Sequence, residues 1–321
     1  MTLPLWRSGT ATGVGSLPGE DPLEAARLVL GELSIPHLPE LPGRGWHADL
    51  AGRGAALLAD LYVDVQPTGW RIVPRPSRDG RRAKDLLARD VDALEHAAQD
   101  GAPEVLKLQA TGPWTLASLV ELHRGDKVLA DYGAVIDLAQ SLAEGLMQHV
   151  ADVQRRFPTT TVVLQLDEPS LPAVLAAHIR TASGFGNLRA PGPQIARERL
   201  RTVLAATEHT VVHCCAASPP LDLMAEAEAI SIDATLPLDL DVLGELLEKG
   251  TQVLLGVVPG TDGPLPTVKH IVETVGRLRD RLGMTDVTLT PTCGLAGGSV
   301  AYARAALKRC TEAATAVEEQ Q

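Results

Sequence analysis

The stretch 161-TVVLQLDEPSL-171 decides the fold. A short β-branched and aliphatic run ends in two carboxylates and a proline. This is how a strand buried on both faces of a parallel sheet reads, with polar groups delivered at its C-terminal end. Working outward, the same profile recurs at 10–15 (TATGVG), 35–39 (IPHLP), 104–110 (EVLKLQA), 210–215 (TVVHCC), 229–233 (AISID), 252–258 (QVLLGVV) and 286–290 (DVTLT), eight strands in all with 161–166. Between them, 83–99, 130–156, 194–207, 266–282 and 298–318 carry apolar residues at spacings of three and four, the helical period. Asp21-Pro22-Leu23-Glu24 is a helix start, with a capping Asp, Pro in the first turn and a Glu reaching back. Strands alternating with helices predict parallel crossover units, and eight of them predict a single (β/α)8 TIM barrel over 1–321. The region 62–82 does not fit the alternation and reads as an inserted hairpin or loop around Pro67-Thr68-Gly69. The Gly/Pro-rich stretch 183–193 reads as a loop over the barrel mouth.

Composition narrows the classes of partner. Of 321 residues, 40 are acidic and 29 basic, a net charge of −11 that argues against nucleic acid or an anionic membrane as partner. No apolar run reaches the length of a membrane span, and MTLPLWRSGT has no apolar core of a secretory leader. Without a leader, four cysteines do not suggest a disulfide framework, and the expected location is the cytoplasm.

In a barrel, the residues that follow the strands converge on the C-terminal face. Here they are Gly15-Ser16, Glu40, Asp167-Glu168, His213-Cys214-Cys215, Asp233 and Pro291-Thr292-Cys293-Gly294. Side chains alternate along a strand, so His213 and Cys215 share one side while Cys214 points away. An imidazole and a thiolate two residues apart can chelate an ion, with Asp233 and Cys293 arriving from other strands, and such mixed ligation favours zinc. The plainer reading of the cysteines is small apolar packing, which is the assignment for Cys310 on its Ala-rich helix. Asp167 shares a side with Gln165 and diverges from Glu168. A carboxylate there can bind an amine, orient a ligand or cap the next helix. Trp114 is either a stacking surface or a packing residue, and His37 and His47 lie close enough to Glu40 and Trp46 to approach the mouth.

Taken in order, GVGSLPG (13–19), LPE (38–40), QPTGW (66–70), TGPWTL (111–116), QLDEPSL (165–171), HCC (213–215), ISID (230–233) and TPTCGLAG (290–297) resemble the catalytic barrel of the cobalamin-independent methionine synthase family. The resemblance implies methyl transfer to the thiol of homocysteine. It implies a zinc ion held by His213, Cys215, Asp233 and Cys293, and an amino-acid thiol held by Gly15, Ser16, Glu40 and Asp167, with Asp167 the catalytic carboxylate. Three departures stand out. Asp233 replaces the family's Glu, Leu119 falls near its pterin-stacking aromatic, and Pro259-Gly260-Thr261-Asp262 replaces a segment bearing a proton-transfer His. All but the first concern the folate side, so a methyl-corrinoid such as methylcobalamin, free or on a corrinoid protein, stands beside methyltetrahydrofolate as expected donor. The alternatives are another thiol acceptor such as coenzyme M, and a catalytically inactive zinc-binding homologue.

Overall fold

The structure, a computed structural model, describes residues 5–320. Met1–Pro4, the start of the stretch read as no secretory leader, and Gln321 lie outside the described residues.

In chain order the helices are α1 (Pro22–Glu32), α2 (Leu50–Ala56), α3 (Arg78–Ala97), α4 (Pro113–Leu119), α5 (Tyr132–Arg156), α6 (Leu171–Leu175), α7 (Pro193–Leu204), α8 (Leu221–Met224), α9 (Leu240–Glu248), α10 (Val268–Leu282) and α11 (Val300–Glu318). The strands are β1 (Tyr62–Gln66), β2 (Gly69–Val73), β3 (Val105–Thr111), β4 (Thr161–Asp167), β5 (His209–Cys214), β6 (Ala229–Asp233), β7 (Gln252–Val258) and β8 (Thr288–Pro291). The last six form one parallel sheet in sequential order, while β1 and β2 form a separate antiparallel hairpin.

The sheet closes through two irregular segments rather than full strands. Thr12 N donates to Leu289 O at 3.0 Å and Leu289 N to Thr10 O at 3.0 Å, which joins β8 to the N-terminal segment. Ile35 N donates to Ala11 O at 3.0 Å, and Lys107 N to Pro36 O at 2.9 Å, which carries the circuit to β3. The expected strands at 10–15 and 35–39 are therefore present only as isolated bridges. Gly13 and Gly15 in one, and Pro36 and Pro39 in the other, remove the side chains or N–H groups a regular ladder needs. The barrel is the TIM type, with two ragged staves.

Inside the barrel, polarity changes with height. Trp6, Ile35, Val163, Val211, Ala229 and Leu254 form a small apolar plug of their own. Two residues further along the same strands come Gln165, His213 and Ser231, all buried, followed by the strand ends. Apolar packing thus fills one end, and the other end is free to carry chemistry. The outer faces of the strands pack on the helices in one continuous core.

Helix starts follow the local sequence. Asp21 caps α1, its carboxylate accepting from Leu23 N at 2.8 Å and Glu24 N at 3.2 Å. The insertion expected over 62–82 is shorter than that: the hairpin ends at Val73, and Ser77 caps α3 by accepting from Gly80 N at 2.8 Å. Apolar period alone placed that helix at 83 because the residues that open it, Arg78-Asp79-Gly80-Arg81-Arg82, include no apolar side chain. Among the described residues, no helix is long and apolar enough to cross a membrane.

Candidate metal and thiol site

Two strand ends, those of β5 and β8, meet at the C-terminal face of the sheet. His213 is the second-last residue of β5, Cys215 follows that strand, and Cys293 follows β8. Their donor atoms all lie within 4.8 Å of one another, with Cys215 Sγ 3.0 Å from Cys293 Sγ. His213 is pinned by a 3.0 Å hydrogen bond between its Nδ1 and Ser231 Oγ, its register partner on β6. With Nδ1–H as the donor, Nε2 keeps its lone pair for an ion. The hydrogen bond between the two thiols draws Cys293 down to about 4, and the same bond pushes Cys215 up. One imidazole and two sulfurs, one of them already inclined to be a thiolate, make a donor set that fits zinc with an open position. Cys214 faces the other way, fully buried in the outer core, where burial pushes its thiol up to about 11.

Asp233 does not join this group. Its Oδ1 accepts from Thr235 N at 2.8 Å and Thr235 Oγ1 at 2.6 Å, closing a turn at the end of β6. With one methylene fewer than a Glu, its carboxylate stays against its own backbone. The structure brings together His213, Cys215 and Cys293 of the expected ligands, and leaves the fourth apart.

A cavity of about 210 Å³ opens beside the three donors. His213, Cys215, Cys293, Ser16, Glu40 and Asp167 line it, and Val14, Pro42, Ala48, Leu50 and Pro169 give it an apolar wall. Backbone bonds knit its rim: Glu40 N donates to Gly15 O at 3.1 Å, and Leu17 N to Glu40 O at 2.8 Å. Gly15 lies beneath, where a Cβ would come 2.9 Å from Gln109 Cγ. Gly294 is required by Ser16, whose Oγ would be 2.0 Å from a Cβ there.

The two cavity acids are held differently. Glu40 sits opposite Arg53 of α2, Oε1 to Nε 3.1 Å, an ion pair without hydrogen-bond alignment. Arg53 in turn binds Asp90 of α3 at 2.8 Å, and Arg44 binds the same carboxylate through both terminal nitrogens at 2.7 and 2.8 Å. Asp167 accepts from Gln165 Nε2 at 2.6 Å, the same-side pairing that strand parity expects. Burial pushes Asp167 up to about 7, with Glu40 adding to the rise and His213 and Lys107 opposing it. Beneath both lies Lys107, fully buried in β3, its Nζ donating to Val14 O at 2.9 Å. Burial lowers it to about 7, against the pull of Asp167 and Glu40.

Sequence reasoning passed over Arg53, Lys107 and Ser231. A signal for Lys107 exists: in VLKLQAT, Lys107, Gln109 and Thr111 form a period-two polar stripe within an apolar strand. Other expectations near the mouth resolve structurally. Glu168 caps α4, accepting from Trp114 N at 2.9 Å, Thr115 N at 2.7 Å and Thr115 Oγ1 at 2.6 Å. Trp114 is a fully buried packing residue whose Nε1 donates to Ala196 O at 3.0 Å. His37 is fully buried, with Nε2 3.2 Å from Gly15 O, and His47 pairs with Asp79 at 2.8 Å. Neither lines the cavity. Cys310 is buried in the core, as expected of a packing residue.

Residues 9–316 match the family described as cobalamin-independent synthase, catalytic domain. Two solved structures resemble the chain over nearly its whole length. A B12-independent methionine synthase from Shewanella sp. W3-18-1, in complex with selenomethionine, is 15% identical with a TM-score of 0.65, covering 98% of both chains. A putative vitamin-B12-independent methionine synthase from Listeria monocytogenes is 13% identical with a TM-score of 0.63, covering 98% of this chain and 99% of its own. At these identities the likeness is one of fold. No curated protein sequence matches the chain. The match to a cobalamin-independent family removes the support for the expected methylcobalamin donor and corrinoid-protein partner. Strand ends, cavity and 308 matched positions (9–316) lead to one assignment: the chain belongs to the cobalamin-independent synthase catalytic-domain family.

Proposed function

We propose that this chain is a zinc-dependent methyltransferase that methylates the thiol of homocysteine to give methionine, with methyltetrahydrofolate as donor. The observation that carries the reading is a single cavity lined both by His213, Cys215 and Cys293 and by the carboxylates Glu40 and Asp167. A thiol-specific metal site and an ammonium-specific acid pair lie within one amino acid's reach.

The chemistry needs a thiolate near neutral pH, and a free thiol with a pKa of about 8.5 is only a few per cent ionised at pH 7. A zinc ion on His213, Cys215 and Cys293 supplies Lewis acidity that removes that limit. The remaining work falls to the chain. Ser231 fixes the ring of His213. Glu40 and Asp167 receive the α-ammonium, and Gln165 and Arg53 hold those carboxylates in place. Val14, Pro42, Ala48, Leu50 and Pro169 face the methylene chain and keep water from the sulfur. The acid pair also selects against coenzyme M, whose sulfonate it would repel.

Zinc-loaded protein supplied with methyltetrahydrofolate and either homocysteine or coenzyme M tests the reading. The expected product is methionine, with no methylation of coenzyme M. Methylated coenzyme M would overturn the acceptor assignment. No transfer to either thiol would favour the inactive zinc-binding homologue.

A further inference from the structure

We propose that Lys107 is a positioning residue of the acceptor pocket: from beneath, its ammonium fixes the Val14 carbonyl at the cavity rim and offsets the paired carboxylates Glu40 and Asp167. The proposal rests on the reading of those acids as the ammonium site.

The geometry is unusual for a lysine. It lies on β3, the first strand of the six-stranded sheet, fully buried, where burying an unpaired cation is costly. Its Cα is in register with Val163, down in the layer of the apolar plug, and its side chain reaches the carbonyl of Val14. That carbonyl also accepts from Gln165 Nε2 at 2.9 Å, and the same nitrogen donates to Asp167 at 2.6 Å. Lys107, Val14, Gln165 and Asp167 are thus one hydrogen-bonded chain ending on the cavity wall, and Val14 and Ser16 line that wall on either side of Gly15.

Charge gives the lysine a second task. Two carboxylates facing one small buried cavity repel each other unless a cation lies near. Arg53 serves Glu40 but is shared with Asp90. Lys107 is a cation that both acids attract, and their attraction opposes the desolvation that lowers it. With Lys107 in place the pair has a cation beneath it and the Val14–Gln165–Asp167 chain is anchored. Without it, both that charge and the anchor are lost.

The test compares binding of homocysteine with that of 4-mercaptobutanoate, the same thiol without its amino group, by calorimetry on zinc-loaded protein. In Lys107→Met the preference for homocysteine should fall by about 10-fold or more, equal to about 1.4 kcal/mol per decade, while 4-mercaptobutanoate binds as before. A purely structural lysine would weaken both ligands together or neither, and either result would overturn the proposal. Lys107→Gln keeps a donor for Val14 and loses the charge. It serves where the Met variant does not fold, with the same fall in preference expected. Asp167→Asn separates the role of the acid pair from that of Lys107. If it leaves the preference intact, the ammonium-site reading fails and Lys107 falls with it. If it abolishes the preference while Lys107→Met does not, only the role of Lys107 is wrong.

Discussion

Two carboxylates placed by sequence at the mouth have different surroundings. Asp167 faces the cavity with one side-chain donor, whereas Asp233 is folded back on Thr235. A ligand must offer a lone pair toward the ion, and Asp233 Oδ1 is already occupied by two donors. We therefore expect Asp233→Asn to retain about one zinc per chain, because Asn preserves the acceptor oxygen of the turn. Cys215→Ser combined with Cys293→Ser should retain little. Elemental analysis of the purified variants decides it: loss of zinc from the Asn variant would restore Asp233 as a ligand. Which side chains share a side, His213 with Cys215 and Gln165 with Asp167, was legible because side chains alternate along a strand. The partner of each was not. Nothing in the sequence shows that Ser231 meets His213 or that Arg53 meets Glu40, since both contacts depend on strand register and helix placement.

At the level of elements, α4 depends on one residue of a neighbouring strand. Its N-terminal Trp114 and Thr115 amides, with the Thr115 hydroxyl, all donate to buried Glu168. Gly112 must lack a side chain there, since a Cβ would lie 2.4 Å from Glu168 Oε1. Burial raises Glu168 from 4.5 to about 7, against the three donors that favour its ionised form. The folded protein therefore holds this proton more tightly than the unfolded chain does. Its contribution to stability is full below about 4.5 and is lost as pH rises through about 7. Glu168→Gln cannot titrate, so the variant's stability relative to the parent should improve between pH 5 and pH 8. Denaturant unfolding at both values checks this, and a gap that is constant or moves the other way would show that the capping bonds outweigh burial. The sequence marked Asp167-Glu168 as diverging and left capping open for either. Proximity of β4 to α4 assigns that role to Glu168.

Across the whole molecule, the alternation of strand and helix was enough for a TIM barrel, because a buried parallel strand has no other economical reading than a short apolar run with polar ends. Irregularity is where the sequence was less informative. TATGVG and IPHLP look like staves but carry glycine and proline, and only closure against Leu289 and Lys107 makes them part of the wall. The central claim is that this barrel gathers a His-Cys-Cys metal site and an ammonium pocket for one reaction on one thiol. The most direct measurement is methionine formation from homocysteine and methyltetrahydrofolate by the same preparation, first metal-replete, then stripped with a chelator, then resupplied with zinc. Activity should disappear with the metal and return with zinc. Methionine formation indifferent to the metal, or absent from zinc-replete protein, would contradict it.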